Sequence, residues 1–185
     1  MPAPTERLFF AVRPDARTAL RIEALAQALC REHGLRGKSL GPERFHVTLH
    51  LIGDFPGGVP ADVLASALDA ARPVAEQASP FHVSLDTVAS FTRKRRNMPL
   101  VLLGHDGVEW LSALQRDLLG ALVAAGMVDR PEPHFVPHLT LLYDDTPLSP
   151  RPVDAIPWRA HELLLVRSLL GRSRHEVLAH LPLAG

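Results

Sequence analysis

Two stretches of the chain alternate apolar and polar positions in the same way, RFHVTLHLIG at residues 44–53 and PHLTLLY at residues 137–143. In a strand, the side chains of residues i and i+2 point to the same face of the sheet. The pattern therefore predicts two strands that bury their valine and leucine residues on one face. On the other face His46 projects beside Thr48, and His138 projects beside Thr140.

Strand-like and helix-like patterns alternate along the remainder of the chain. Apolar runs predict strands at residues 8–12, 81–91, 100–103, 162–169 and 176–183. Apolar stripes with helical spacing predict helices at residues 15–34, 59–78 and 106–126, the first of which begins at Asp15 and ends at Gly34. The proline-rich residues 144–157 predict irregular structure. This mixture of elements predicts an α+β fold.

The two motif strands belong to segments that align without gaps at an offset of 92 residues, the difference between positions 138 and 46. The same offset relates Gly34 to Gly126 and Phe10 to Leu102. One unit of strand, helix, glycine, loop and motif strand is too small to bury its apolar face, so two units would pack as a pseudo-twofold pair. We predict that residues 1–185 form a single domain of two pseudo-symmetric lobes, with both His/Thr faces turned towards a central cleft.

The composition narrows the possible classes of function. Formal net charge is +0, with 20 Lys and Arg against 20 Asp and Glu, so any binding of nucleic acid must depend on a local basic patch. The single cysteine, Cys30, excludes an intramolecular disulfide and zinc sites built from several thiolates. No apolar run reaches the length of a signal peptide or a membrane span, and we expect a cytoplasmic protein with no membrane partner.

Two histidines that face one cleft are suited to acid–base catalysis. The unperturbed pKa of an imidazole is about 6.5, so one member of a pair can be neutral at pH 7 while the other is protonated. One can then take a proton from water while the other gives a proton to an oxygen leaving from phosphorus. Each such group contributes roughly 10²–10⁴ to the rate. The Thr48 and Thr140 hydroxyls would donate hydrogen bonds to the phosphate oxygens.

Both motifs resemble those of the 2H phosphoesterases, which are named for two His-x-Thr/Ser sequences. GPERFHVTLHLIG at residues 41–53, VPHLTLLY at residues 136–143 and the ending LLLVRSLLGRSRHEVLAHLPL are similar to the RNA 2′,3′-cyclic phosphodiesterases, the 2′-5′ RNA ligase-like branch. The resemblance covers nearly the whole chain. It implies a two-lobed fold with a cleft between two antiparallel sheets, and metal-independent opening of a 2′,3′-cyclic phosphate to a 2′-phosphate.

The resemblance also implies a role for each motif residue. His46 would protonate the departing O3′ and His138 would activate water, while Thr48 and Thr140 would bind the phosphate. Three positions depart from the pattern of this branch. Tyr143 stands where an arginine is common, Arg167 where an acidic residue is common, and His175 where a tyrosine is common. These departures leave the two-histidine chemistry intact and bear on which substrate is bound.

Several other side chains admit two interpretations. His50 shares a face with His46 and, like Tyr143, is a candidate for substrate contact, with a surface role as the alternative. The basic run at residues 93–96 either guides an RNA phosphate backbone or forms a solvated loop. Four aromatic residues could stack on a base or belong to the core: Phe45, Phe91, Phe135 and Trp158.

We predict that the protein needs no metal and no cofactor. Four histidines could in principle converge on zinc: His46, His50, His134 and His138. The paired threonines and the absence of an acidic residue from either motif argue against such a site. The predicted partners are RNA or oligonucleotide ends that carry a cyclic phosphate, or cyclic nucleotides, bound by a monomer. Two alternatives stay open: a 2H phosphodiesterase for another small cyclic phosphate, and a non-catalytic module that binds nucleotides or RNA ends.

Overall fold

Strands and helices follow one another in the order that the sequence pattern predicts, with one strand added. The computed structural model describes residues 3–129 and 134–185. In chain order the elements of these residues are β1 (Glu6–Val12), α1 (Ala16–His33), β2 (Val47–Phe55), α2 (Ala61–Gln77), β3 (Phe81–Ser90), β4 (Met98–Leu103), α3 (Val108–Ala124), β5 (Leu139–Asp144), β6 (Arg151–Ala160), β7 (Glu162–Leu169) and β8 (Arg174–Pro182). A short 3-10 helix, Pro42–Arg44, precedes β2.

The first helix has the boundaries that its capping residues predict. The Asp15 carboxylate accepts a hydrogen bond from the backbone N–H of Thr18 at 2.9 Å, which satisfies a donor that the first turn leaves unpaired. Gly34 ends the helix in the left-handed region, at a φ of 64°. Between them Ala19, Ile22 and their neighbours on the predicted stripe are buried. α3 buries a similar stripe of leucines, and Gly126 follows it at a φ of 69°.

The eight strands pair in the order β6-β3-β4-β5-β2-β1-β7-β8, and every pair is antiparallel. The two four-stranded halves of this sheet are joined through a single residue pair, Val47 of β2 with Leu139 of β5. The predicted two-lobed α+β fold is therefore confirmed, with the halves linked as one continuous sheet. The connection runs through the two motif strands, which places their His and Thr residues at the middle of the molecule.

The prediction of irregular structure at residues 144–157 is wrong over its C-terminal part. Residues from Arg151 onwards form β6, which pairs with β3 through contacts such as Ser84 with Pro157 and Val83 with Trp158. β6 is an edge strand, so it has a neighbour on one side only. A proline lacks the N–H of a ladder hydrogen bond, and an edge strand tolerates it where that N–H would face outwards.

The two faces of the sheet are covered unequally. Leu8, Phe10 and Val12 of β1 point into the main core, which the three helices help to form. Phe9 and Ala11 alternate with them and so belong to the opposite face, where they pack in a small second cluster with Leu164, Val166 and Val177. This second face carries the side chains of the first motif. None of the helices in the described part of the chain combines the length and the hydropathy of a membrane span.

A buried carboxylate ties the loop after α1 to the end of the second motif strand. Asp144 accepts hydrogen bonds from the backbone N–H groups of Arg36 and Gly37, both at 2.6 Å, and of Thr146 at 2.7 Å. Gly37 lies so close to β5 that a Cβ at this position would be 2.0 Å from the Tyr143 carbonyl oxygen. The loop that leads into the first motif is therefore fixed against the strand that carries the second.

Candidate active site

The two motif strands meet in antiparallel register at their N-terminal ends. Because Val47 pairs with Leu139, the next positions along the two strands set Thr48 across from His138 and His46 across from Thr140. The register therefore places each histidine across from the threonine of the other motif, while the hydroxyl that His46 contacts is that of Thr48 in its own motif. A positive charge on His138 contributes to the lowered pKa of His46.

The His46 imidazole is held by a hydrogen bond at each ring nitrogen. Its Nδ1–H donates to the backbone carbonyl of Arg44 at 2.6 Å, and the Thr48 hydroxyl donates to its Nε2 at 3.1 Å. The ring also stacks on Phe9, with 4.9 Å between centroids and 30° between planes. The carbonyl can only accept, so it fixes the proton on Nδ1 and leaves the lone pair on Nε2.

His138, directly before β5, is held at its Nδ1 in the same way. Its Nδ1–H donates to the backbone carbonyl of Val136 at 2.7 Å, again from two residues upstream. Its ring meets Phe91 edge-on, with 4.9 Å between centroids and 65° between planes. Fixing Nδ1 in this way leaves Nε2 of both histidines as the atom that can take or give a proton.

Burial is the main electrostatic influence on His46. Removal from water disfavours the imidazolium and lowers the pKa to about 4. The hydrogen bond to the Arg44 carbonyl opposes this shift, while the positive charges of Arg44 and His138 add to it. In the free protein at pH 7 His46 is therefore a neutral imidazole, whose Nε2 lone pair accepts the hydrogen bond from Thr48.

An open cleft of about 660 Å³ lies beside the motif strands. Thr48 and His138 line it, as does His50, the third polar residue on this face of β2. His134, Phe91, Phe135 and Arg93 line it as well, so one residue of the basic run reaches the cleft. Gln115 of α3 is 9% exposed and lines the same cleft. The only sign of Gln115 as a cleft residue in the sequence was that it is a polar residue next to the leucine stripe of α3.

Other predicted site residues lie elsewhere. Tyr143 is 43% exposed and does not line the cleft, so its contact with substrate stays a prediction. Phe45 and Trp158 are 1% and 3% exposed and belong to the core. Arg167 forms ion pairs with Glu176 at 2.6 Å and Glu6 at 3.7 Å, away from the motif residues.

The position of His175 of β8 beside the first motif was also not predicted from the sequence. Its ring lies edge-on to His46, with 5.3 Å between centroids, and edge-on to Phe9, with 5.6 Å. The two histidines are 129 positions apart in the chain, the difference between 175 and 46, so no local pattern connects them. Burial, together with the charges of His46 and Arg44, lowers the pKa of His175 to about 4.

Residues 3–129 and 134–185 contain no group of three or more His, Cys, Asp or Glu side chains placed to hold a metal ion. The imidazoles of His46 and His138 instead make their Nδ1 hydrogen bonds to carbonyls and, for His46, an Nε2 hydrogen bond to Thr48. Metal independence stays a prediction about activity.

Comparison with known proteins identifies a matching family and several solved structures with a similar fold. The family model of the 2′-5′ RNA ligase superfamily matches residues 14–170. TT0787 of Thermus thermophilus superposes with a TM-score of 0.77 at 22% identity, over 97% of this chain and 98% of that one. Escherichia coli LigT superposes with TM-scores of 0.76 in its apo form, at 23% identity, and 0.74 in its complex with 3′-AMP, at 24% identity, each over 98% of this chain and 99% of that one. No curated protein sequence matches the chain.

Proposed function

The chain belongs to the 2′-5′ RNA ligase superfamily, and we propose that it hydrolyses 2′,3′-cyclic phosphate ends of RNA to 2′-phosphates without a metal ion. The observation that carries the proposal is the antiparallel pairing of the motif strands, which sets a histidine of each across from the threonine of the other. Among proteins of this fold, E. coli LigT has been crystallised with 3′-AMP and with phosphate. We expect a nucleotide with a terminal phosphate to bind in the cleft that Thr48 and His138 line.

Each motif residue has one role in the proposed reaction. Thr48 and Thr140 donate hydrogen bonds to the non-bridging oxygens of the cyclic phosphate. Nε2 of His138 takes a proton from water as the water oxygen forms a bond to phosphorus. The bond from phosphorus to O3′ breaks on the opposite side, and O3′ takes a proton from Nε2 of His46. The products are a 2′-phosphate and a 3′-hydroxyl.

The role of His46 as the acid requires it to gain a proton when substrate binds. Its Nδ1–H is already bound to the Arg44 carbonyl, so a proton on Nε2 makes the ring an imidazolium. In the free protein the pKa of about 4 opposes that charge. The cyclic phosphate carries a negative charge, which favours the protonated form of an adjacent imidazole and raises its pKa. Substrate binding and protonation of His46 are therefore coupled.

The first experiment measures hydrolysis of adenosine 2′,3′-cyclic phosphate in the presence of EDTA. We expect adenosine 2′-phosphate as the product, and a loss of roughly 10²–10⁴ in kcat/KM for His46→Ala and for His138→Ala. The exposed His82 of β3 provides the matched control, and His82→Ala retains the activity. A 3′-phosphate product, a requirement for added metal, or full activity in either motif variant would refute the mechanism.

The division of roles between the two histidines is tested with a nitrophenyl phosphodiester, whose leaving group needs no proton. This substrate should restore much of the rate of His46→Ala, which lacks the acid. It should leave His138→Ala inactive, because the attack of water still needs a base. Restoration of His138→Ala alone would reverse the two roles.

A further inference from the structure

Arg44, two residues before the first catalytic histidine, has no acidic partner among the described residues. The Nε of its guanidinium is buried without a hydrogen-bond acceptor in the same part of the chain. The arginines near it differ in this respect, because Arg13 lies 3.9 Å from Glu162 and Arg174 lies 3.2 Å from Glu176. A buried donor without an acceptor is costly, and an anionic ligand is one way to satisfy it.

The position that matches Arg44 beside the second catalytic histidine is apolar. Val136 supplies its carbonyl to His138 as Arg44 does to His46, yet its side chain carries no charge. The positive charge is therefore present beside one histidine of the pair and absent beside the other. The difference concerns the side chain alone, because the backbone carbonyl performs the same task at both positions.

His175 contacts the ring of His46 and lines a cavity together with Arg44. Two cavities meet at this residue, one of about 620 Å³ that Arg44 also lines and one of about 260 Å³ that His46 also lines. The His175 ring contacts are aromatic, and within residues 3–129 and 134–185 neither of its nitrogens has a hydrogen-bond partner. His46 in turn binds Thr48, which lines the cleft of the proposed reaction, so the smaller cavity lies next to that cleft through this pair, and the larger cavity is connected to the smaller one at His175.

The charged groups around these cavities are mostly cationic. Arg44 and Arg174 line the larger cavity and Arg13 lines the smaller one, while Glu43 lines both. Glu43 is exposed and forms no ion pair with Arg44. The apolar floor of the smaller cavity, formed by residues such as Val166 and Val177, lowers the local dielectric and strengthens the attraction of an anion to the arginine.

We propose that Arg44 and His175 form a second phosphate site, which binds the phosphodiester group next to the cyclic phosphate and so selects RNA ends over cyclic mononucleotides. This inference depends on the proposed function, because it names the substrate class of the same site. The Arg44 guanidinium donates to the phosphodiester oxygens, and an imidazole nitrogen of His175 donates a further hydrogen bond.

The same site would prepare His46 for its role as the acid. The charge of Arg44 lowers the pKa of both His46 and His175 in the free protein. An anion bound to Arg44 offsets that charge, so protonation of both imidazoles becomes more favourable. A substrate with a phosphodiester at this position thus brings the negative charge that His46 needs in order to protonate O3′.

The test measures binding of two reaction products, so that it does not depend on turnover. Isothermal titration calorimetry at pH 6.5 compares adenylyl-(3′,5′)-adenosine 2′-phosphate, which has the extra phosphodiester, with adenosine 2′-phosphate, which lacks it. We expect the wild type to bind the dinucleotide about tenfold more tightly than adenosine 2′-phosphate. This factor is the typical contribution of one charge-assisted hydrogen bond. Arg44→Gln should reduce this ratio to near one, and Arg44→Lys, which keeps the charge, should retain part of it.

Three further variants test whether the preference for the dinucleotide arises at this site. His175→Phe keeps the ring contacts with Phe9 and His46, and we expect it to lower the affinity ratio. Arg17→Gln, on the exposed surface of α1, should leave the ratio unchanged. Arg93→Gln tests the basic run, which borders the main cleft instead. A ratio that falls in Arg93→Gln but not in Arg44→Gln would refute the proposed site.

The outcome distinguishes this site from the proposed activity. An affinity ratio near one in the wild type would overturn the second phosphate site even if adenosine 2′,3′-cyclic phosphate were hydrolysed. A raised ratio that depends on Arg44, in a protein that does not hydrolyse this cyclic phosphate, would support the site and refute the phosphodiesterase. Unfolding of Arg44→Gln would be detected by circular dichroism, and Arg44→Lys with His175→Phe would then decide the question.

Discussion

Acidification should destabilise this protein through His46 before most carboxylates titrate. The folded state holds the imidazole neutral, with a pKa of about 4, because the ring is buried against Phe9. In the unfolded chain the pKa returns to about 6.5. Between these values the unfolded state binds a proton that the folded state does not, so stability falls as the pH falls through this range. Above about pH 7.5 the imidazole is neutral in both states and the contribution is constant.

The magnitude follows from the two pKa values. Their difference corresponds to about 3 kcal/mol between the neutral and the fully protonated limits. At pH 5 most unfolded chains carry the proton while most folded molecules do not, so about 2 kcal/mol has already been lost relative to pH 8. His175 has a pKa shifted in the same direction, so its loss adds to that of His46.

Urea-induced unfolding of the wild type and of His46→Gln at pH 8 and pH 5 provides the assay. The wild type should lose about 2 kcal/mol more than His46→Gln over this range. The carboxylates titrate alike in both proteins, so the difference between their losses of unfolding free energy reports on the His46 imidazole. His82→Gln, which replaces an exposed histidine, should retain the wild-type dependence.

Two results would contradict this account. One is an equal pH dependence of unfolding in the wild type and in His46→Gln. The other is a His46 C2–H resonance that titrates near the unperturbed value of about 6.5 in the folded protein. Either would mean that the ring is hydrated in solution, and the coupling between substrate binding and His46 protonation would then lose its basis.

Three further predictions concern the motif strands. The double variant His46→Ala/His138→Ala should lose much less kcat/KM than the product of the two single losses, because the acid and the base act in one step; multiplicative losses would separate them. Thr48→Ala and Thr140→Ala should lose less than the histidine variants, and their weakened binding of inorganic phosphate would identify the threonines as phosphate ligands. Asp144→Ala should lower the free energy of unfolding by roughly 2–3 kcal/mol because three backbone N–H groups lose a charged acceptor; a change below about 0.5 kcal/mol in urea unfolding would mean that water replaces the carboxylate at little cost.

The parts of the fold that depend on local patterns could be predicted from the sequence. The Asp15 cap, the buried stripe of α1 and the left-handed Gly34 lie within one helix and its ends, and each appears where expected. β6 was missed because its prolines indicated irregular structure, and they are tolerated only because the strand lies at the edge of the sheet. An edge position is a property of strand order, which local periodicity does not contain.

The residues of the candidate site also fall into two groups, those that a local sequence pattern predicts and those that only the tertiary structure brings together. Both motif histidines could be found from one offset and the two-residue period of a strand. Phe9 and His175, which contact the His46 ring, come from strands that the topology brings beside it. Arg44 was visible two residues before His46, yet the lack of an acceptor for its buried Nε among the described residues becomes apparent only when its neighbours in space are known. Whether a charged side chain has a partner of opposite charge depends on the tertiary structure and cannot be read from neighbouring positions in the sequence.

A reaction that needs one acid and one base requires its two histidines to differ. Here the backbone treats them alike, because each Nδ1–H donates to the carbonyl two residues upstream. Identical surroundings would give both rings the same affinity for a proton, and neither would have a preferred role. The side chains remove this equivalence, since Arg44 and His175 adjoin His46 while Val136 and Phe91 adjoin His138. The positive charge lies beside the ring that would gain a proton in the proposed reaction, so we expect a negatively charged substrate to alter the protonation of His46 more strongly than that of its counterpart.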